Sequence, residues 1–343
     1  MNIRLATLSD RTAWDDFVLN HPEGTAYQLF AWQEAVGKAY GLQGAYLLAE
    51  KDATVCGVLP LIDFRVPFAG RSLISLPYCD AGGVLSVDES VAKALIEEAR
   101  TLARERGVAC QIRTIRPLPN AGTNQTDKVR MLLNLPDNAG QLLTRLDTKV
   151  RSQVKKPVRD GLTAKLGSVE LVDEFYAVFS ENMRDLGSPV HSRQWIRAIV
   201  AAYGSRARVA VVLTPEGRPA AAGIVLIHPR TMVIPWASSL RRFNYLNPNM
   251  LLYWIFLTLA IDQGCHQFDF GRSSPGEGTY RFKAQWGSRP EPLYWEVYSA
   301  VGHVPKKGSN GSELRAYAEN LWRRLPLPLC NTLGPLVRRR VNL

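Results

Sequence analysis

Paired cysteines, acid–histidine motifs and long apolar runs are all missing from this chain of 343 residues, and each absence excludes a class of protein. The five cysteines, Cys56, Cys79, Cys110, Cys265 and Cys330, stand alone, with no CxxC pair. That scatter argues against a disulfide framework or a zinc ribbon and for a reducing compartment. The five histidines are dispersed and no HExxH appears, so no metal site is expected. No GxSxG elbow, Walker loop or dinucleotide fingerprint occurs, which argues against a serine hydrolase, a P-loop NTPase and a Rossmann enzyme. The longest apolar run, Met250–Ile261, is about a dozen residues, too short to span a bilayer and suited to a buried helix. The opening MNIRLATLSD has no apolar h-region, so no signal peptide is expected. The expectation is a cytoplasmic monomer, with peripheral contact at an inner membrane left open.

What is present points to two domains and an anionic partner. The length favours about two domains. The net charge of +11 fits nucleic acid, an acidic membrane surface or a phosphorylated substrate. The order helix, helix, hairpin, strand, helix, strand occurs twice, about 160 residues apart. Even the hairpins are alike, AYLLAEKDATVCGVLPLI beside ARVAVVLTPEGRPAAAGIVLI. The reading is an α/β (α+β) chain, with one unit at 1–146, a basic join at 147–161, a second unit at 162–300 and a basic, Pro/Leu-rich tail at 301–343.

The join, LDTKVRSQVKKPVRDGL, carries Lys149, Arg151, Lys155, Lys156 and Arg159. Arg151 and Lys155, four residues apart, would stack on one helical face until Pro157 breaks or kinks the helix. Such a strip either borders a cleft and binds phosphates or is a solvated linker; the expectation tested below is that Lys149, Arg151 and Lys155 border the cleft between the units. The tail, with a helix expected at Glu313–Leu325, ends in Arg338, Arg339 and Arg340. Packing back on the first unit, touching a membrane and binding RNA are all open to it; the first is the expectation.

The stretch FDFGRSSPGEGTYRFKAQWG, Phe268–Gly287, reads as strand, glycine-rich loop and short helix. Tyr280, Phe282 and Trp286 recur at helical spacing, so Arg281 and Lys283 flank an aromatic seam beside the loop that carries Arg272. Fixed cations at the carboxyl end of a strand can hold anionic oxygens; they can equally be solvated charges on a core helix. Asp269 alternates with Phe268 and Phe270 and is a candidate base or orienting group. Tyr27, Gln28, Trp32 and Lys38 form an aromatic and polar group early in the chain.

Four stretches resemble the Fem-type peptidoglycan bridge aminoacyltransferases: YQLFAWQEAVGKAYG, LPYCDAGG, DTKVRSQVKKP and GTYRFKAQWG, the last followed by PLYWEVYSA. The chain is similar to that family over nearly all of residues 1–300, and its tail resembles the branch linked to exosortase/PEP-CTERM gene clusters. The resemblance implies two tandem acyl-CoA N-acyltransferase (GNAT)-like domains, each a mixed sheet flanked by helices. It implies transfer of an aminoacyl or acyl group to an amine of a peptidoglycan- or exopolysaccharide-related precursor. The donor would be aminoacyl-tRNA, with acyl-CoA as the alternative, and no bound cofactor. Lys38 and Arg151 would sit near substrate phosphates, Trp32, Tyr78, Lys155, Arg272, Tyr280 and Arg281 would contact substrate, and Lys283 would stabilise the oxyanion, with Asp269 beside it.

Two departures from pattern bear on the donor. The long helical arm that some family members insert is absent, since Glu174–Tyr203 has room for only two ordinary helices. Neither unit shows the RxxGxG/A pyrophosphate loop of acetyl-CoA users. Besides the Fem-type reading, an acyl-CoA-dependent enzyme acting on a nucleotide-sugar and an inactive GNAT-like scaffold binding an anionic envelope component stay open.

Overall fold

A computed structural model describes residues 1–66, 70–118, 125–298 and 311–341. The first half contains β1 (Asn2–Leu5), α1 (Arg11–Asn20), α2 (Phe30–Tyr40), β2 (Leu47–Lys51), β3 (Thr54–Leu59), β4 (Ile62–Val66) and β5 (Gly70–Ile74). It continues with β6 (Leu85–Ser86), α3 (Glu89–Glu105), β7 (Ala109–Thr114), β8 (Gln125–Asn134) and α4 (Ala139–Arg145). The join is α5 (Thr148–Arg159). The second half contains β9 (Thr163–Gly167), α6 (Val172–Leu186), α7 (Arg193–Tyr203), β10 (Ala207–Leu213), β11 (Pro219–Ile227) and β12 (Thr231–Ser239). Then come α8 (Pro248–Asp262), β13 (Gln267–Ser273), α9 (Gly278–Ala284) and β14 (Arg289–Tyr298), and the tail forms α10 (Gly311–Arg324) and α11 (Leu327–Arg338).

Local chemistry explains these elements. The Asp88 carboxylate accepts from the Val91 amide at 2.9 Å and caps α3, whose buried stripe Val91, Leu95, Ala99, Ala103 has helical spacing. Ser192 caps α7 in the same way. Helix α8 starts at Pro248 and is apolar all round, as a helix enclosed by protein must be. On β10, Val209 and Val211 face a core shared with α6 and α7. Ala210 and Val212 face the opposite core, shared with α5 and α8. That two-residue alternation puts helices on both faces of the sheet.

One ten-stranded sheet runs in the order β4-β5-β7-β14-β8-β13-β12-β11-β10-β9, beside a four-stranded sheet β1-β2-β3-β6. The order is the same read outward from β14 and β8. On one side β14 pairs antiparallel with β7, which lies parallel to β5, which pairs antiparallel with β4. On the other side β8 pairs antiparallel with β13, parallel to β12, antiparallel to β11. Each half thus lends a strand to the other: β8 precedes α5 in sequence but completes the sheet of the second half, and β14 completes that of the first. Limits drawn at 146 and 162 divide the sequence but do not divide this sheet.

Two expectations are corrected. The tail does not pack mainly on the first half: α10 and α11 lie on α6. Gly334 seats against Val190, where an added Cβ would come within 3.0 Å. Among the described residues of the tail, the last turn reaches the first half, where the Tyr78 hydroxyl donates to the Arg339 carbonyl at 2.7 Å. Nor does Pro157 break the join; it lies inside α5 near its end, where the helix is finishing. The expected limit at 300 and the first residues of the tail lie outside the described residues. Among the described residues, no helix is long and apolar enough to cross a membrane and no group of three or more His, Cys, Asp or Glu could hold a metal ion. All five cysteines are unpaired and buried.

Candidate active site

Strands β12 and β13 run together for three residue pairs only, Thr231–Val233 against Gln267–Asp269. Beyond them β12 follows β11 and β13 follows β8, with an irregular register between Asp269 and Arg272. The two parallel strands therefore splay at their carboxyl ends and open a wedge. Crevices of this kind, at the carboxyl ends of parallel strands, are where open α/β sheets hold ligands.

A cavity of about 330 Å³ fills the wedge. Ile234–Ser238 of β12 and Phe270–Arg272 of β13 form two of its walls, and Thr279 and Lys283 of α9 close a third. Asn182 and Met183 of α6, Tyr27 and Tyr78–Asp80 of the first half, and His191 and Arg338 complete it.

The corresponding place in the first half is closed. There β5 and β7 are parallel over Ser72–Ile74 and Ala109–Gln111. The chain then turns sharply, with Leu76 at φ 61° and Tyr78 at φ 68°, values that residues with a Cβ adopt rarely. Fully buried Arg113 holds this turn, donating to the Cys79 carbonyl at 2.9 Å while its guanidinium lies over Trp295. Burial presses the Arg113 guanidinium down to about 10, still charged at neutral pH. The turn projects Asp80 across the seam. Its carboxylate accepts from the Arg272 amide at 2.9 Å, and its carbonyl accepts from Trp295 Nε1 at 3.0 Å. The first half thus forgoes its own wedge and supplies a wall to that of the second.

Lys283 is buried on α9, and its Nζ donates to the Gly271 carbonyl at 3.1 Å and the Arg272 carbonyl at 2.8 Å. Burial lowers it from its ordinary 10.5 to about 8; Asp80 and Asp269 oppose that shift and Arg272 adds to it. Gly271, at φ 71°, allows the turn of backbone that presents these carbonyls. Arg272 lies near the Asp80 carboxylate at 3.5 Å and over the ring of Trp295.

Arg338 enters from the tail. Its Nε donates to His191 Nε2 at 3.1 Å, so that nitrogen carries no proton and Nδ1–H faces the Tyr40 hydroxyl at 2.8 Å. His191 is neutral, held well below its ordinary value by burial and by the Arg338 charge. Burial also lowers Arg338, to about 10, and Arg272 pushes the same way. Three cations and one carboxylate, Asp80, therefore line the wedge, and the excess charge suits an anionic ligand.

The structure brings together some of the residues that the sequence singles out and scatters others. Lys283, Arg272 and Tyr78 line the cavity. Asp269 is buried but its oxygens are engaged, one accepting from the Gly271 amide at 2.7 Å and the other 3.9 Å from Arg130; burial raises its pKa. It holds the β13 bend and does not line the cavity. Trp32 is fully buried and donates to the Pro77 carbonyl at 3.2 Å, forming part of an aromatic floor with Trp195 and Trp236. Tyr280 packs against the second core, and Arg281 and Lys38 are exposed. Lys149, Arg151 and Lys155 line no part of the cavity: Val150 and Val154 turn α5 towards α8, which leaves Lys149 and Lys155 exposed and Arg151 half-buried. Asp80 and His191 carry no motif beyond LPYCDAGG and an isolated histidine, and Arg338 lies in a charge run, so sequence reasoning gave none of them a place in the site.

Residues 148–284 match the family model described as an acetyltransferase (GNAT) domain. The crystal structure of FemX is similar over 87% of this chain and 97% of its own, at 16% identity and a TM-score of 0.69. The C-terminal domain (DUF2156) of a putative lysylphosphatidylglycerol synthetase from Agrobacterium fabrum is similar over 91% of this chain and 96% of its own, at 15% identity and TM-score 0.58. A tandem GNAT protein from the clavulanic acid biosynthesis pathway is similar over 89% and 99%, at 13% identity and TM-score 0.52. No curated protein matches the chain. The class is therefore plain: an α/β chain with the tandem GNAT fold, its sheets flanked by helices. The match at 148–284 takes in α5, both strands of the open wedge and Lys283.

Proposed function

We propose that the chain is an N-acyltransferase of Fem type, passing an aminoacyl group to an amine of an anionic cell-envelope precursor related to peptidoglycan or exopolysaccharide. The observation that carries this reading is Lys283, a buried ammonium facing a wedge that opens at the carboxyl ends of parallel strands. Acyl transfer from an ester to an amine needs positioning, a proton acceptor and stabilisation of the oxyanion, but no covalent enzyme intermediate. The amine nitrogen attacks the ester carbonyl and a C–N bond forms. Lys283 faces the negative charge that develops on the carbonyl oxygen. The C–O bond then breaks, and the proton lost by nitrogen passes to the departing oxygen. In this reading Asp80, which lines the cavity as Asp269 does not, carries that proton. Arg272 and Arg338 hold the acceptor's anionic group.

The donor in this reading is aminoacyl-tRNA, and no resident cofactor is required. A second reading, an acyl-CoA donor, draws on β12: beyond Val233 it pairs with β11 on one side only among the described residues. That leaves a peptide edge which an amide-bearing donor can pair with.

Thermal-shift titration of the purified chain with coenzyme A, a UDP-linked muropeptide and charged tRNA separates these readings, since a ligand of the folded state alone raises stability. Stabilisation by a muropeptide together with transfer of label from charged tRNA supports the Fem-type reading. Stabilisation by coenzyme A, with label moving only from acyl-CoA, replaces it with the second. Binding without transfer from either donor overturns both and leaves a scaffold.

A further inference from the structure

The outer face of the C-terminal helices is apolar. On α11 the exposed positions are Pro328, Leu329, Thr332, Leu333, Leu336 and Val337, with Arg340 in line just past its end. Their spacing of three and four residues makes them one continuous stripe. The opposite stripe, with buried Cys330 and Gly334 and half-buried Arg338, faces α6 and the cavity. The helix thus presents its large apolar side chains to solvent and its small residues, Cys330 and Gly334, to the protein. Helix α10 extends the pattern with Tyr317 at 72% and Leu321 at 55% exposure. Scattered exposed leucines need no explanation, but a periodic apolar face on the last two helices does.

Charge identifies what covers it. From Asn320 to Leu343 the sequence has no Asp or Glu and five arginines, Arg323, Arg324, Arg338, Arg339 and Arg340. Four of these are exposed: Arg323 and Arg324 on the last turn of α10, and Arg339 and Arg340 just past the end of α11. A leucine-rich stripe flanked by arginines matches the boundary between headgroups and acyl chains of an anionic bilayer. A second copy of the chain fits poorly, because a twofold contact through this face would bring the arginines of one copy against those of the other.

We propose that α10 and α11 form a membrane-surface anchor that lies on anionic lipid headgroups, sinking Leu329, Leu333, Leu336 and Val337 into the interface. Arg338 lies on the same helix and lines the wedge, so docking holds the wedge about one helix width from the headgroup layer. A lipid-linked acceptor would then reach the wedge without leaving the membrane. This deepens the proposed function by naming where its acceptor resides, but the anchor itself depends on no step of the acyl transfer.

The test is co-sedimentation of the full chain with vesicles of phosphatidylcholine alone and of phosphatidylcholine with 30% phosphatidylglycerol, at physiological salt. Wild type is expected to pellet with the second and not the first. The double substitution L333E/L336E should weaken that binding at least tenfold, and R339Q/R340Q by about twenty-five-fold, at roughly fivefold per interfacial arginine. All four residues are exposed, so both variants should melt with the wild type, and the melting curves check this. Failure of wild type to bind anionic vesicles, or undiminished binding by L333E/L336E, overturns the proposal. A concentration-dependent dimer that L333E/L336E dissolves, with no vesicle binding, replaces the membrane with a second copy. Vesicle binding is read without catalysis, so a variant inactive at Lys283 that still binds vesicles would separate the anchor from the chemistry.

Discussion

Lys283 donates its ammonium to the carbonyl of Arg272 at 2.8 Å, across the bend that β13 makes as it leaves β12. A cation placed there completes the backbone geometry and faces the cavity between the two strands. If its charge serves mainly the developing oxyanion, its effect is greater in the transition state than in the ground state.

Replacement of Lys283 by Ala should therefore lower kcat by roughly a hundredfold or more, the usual loss for one oxyanion donor, with little change in KM. Lys283→Arg should rescue poorly, since a broad guanidinium cannot occupy the place of a compact ammonium between two carbonyls. Steady-state kinetics with the donor identified by label transfer check this; near-normal turnover of K283A would remove the assignment.

This much of the site was legible in the sequence because it is local. The strand, glycines and short helix of Phe268–Gly287 follow one another, and periodicity and turn chemistry place Lys283 beside its loop. The exchange of β8 and β14 was not legible, since pairings between strands more than a hundred residues apart leave no local pattern. Asp80 and Arg338 reach the wedge by the same long-range route. The charged strip of α5 misled because charge density marks a surface without saying which cavity it borders; Val150 and Val154, read as the apolar face, would have turned it to solvent. Strand β9 escaped notice because its TAKLG sequence is exposed along most of its length and shows no alternation.

The lowered pKa of Lys283 gives opposite trends for activity and stability. Its folded value, about 8, lies below the ordinary 10.5. Between those values the unfolded chain binds the extra proton, so Lys283 adds to stability as pH rises from about 8 towards 10.5. Activity that needs the ammonium should fall over the same rise, with a midpoint near 8. Paired pH profiles of kcat/KM and of urea midpoint check this. K283A should lose the Lys283 contribution to both; an unchanged alkaline limb in the variant's stability profile would assign the limb to another group.

Arg113 is predicted to be structural, acting on the site through the Leu76–Gly83 turn. Arg113→Leu leaves buried carbonyls such as that of Cys79 without a donor. Unmet buried acceptors cost about 1–3 kcal/mol each, so a loss near 3 kcal/mol and a fall of several degrees in Tm are expected. Because the turn carries Tyr78 and Asp80, binding at the wedge should weaken too. A variant that melts with the wild type would show that the turn holds itself.

Arg338 should behave in the opposite way. Its guanidinium is largely buried, its hydrogen bond goes to a neutral histidine, and the nearby cation Arg272 disfavours it. Among the described residues it has no carboxylate partner; a buried charge without a counter-ion lowers stability, and its removal need cost nothing. Arg338→Gln is therefore expected to be as stable as wild type in the absence of ligand, or slightly more so. What it should lose is anion binding. Pyrophosphate at constant ionic strength should raise the wild-type Tm, and R338Q should need at least tenfold more of it for the same shift, the weight of one charge-assisted hydrogen bond of about 1.5 kcal/mol. Arg338→Lys, which keeps the charge but not the planar fork, should fall between the two. A residue that only packs the tail onto α6 gives a different pattern: R338Q then melts early and responds to pyrophosphate as wild type does. Calorimetric titration of the three proteins decides between these outcomes, and equal pyrophosphate affinity in all of them would remove Arg338 from the site.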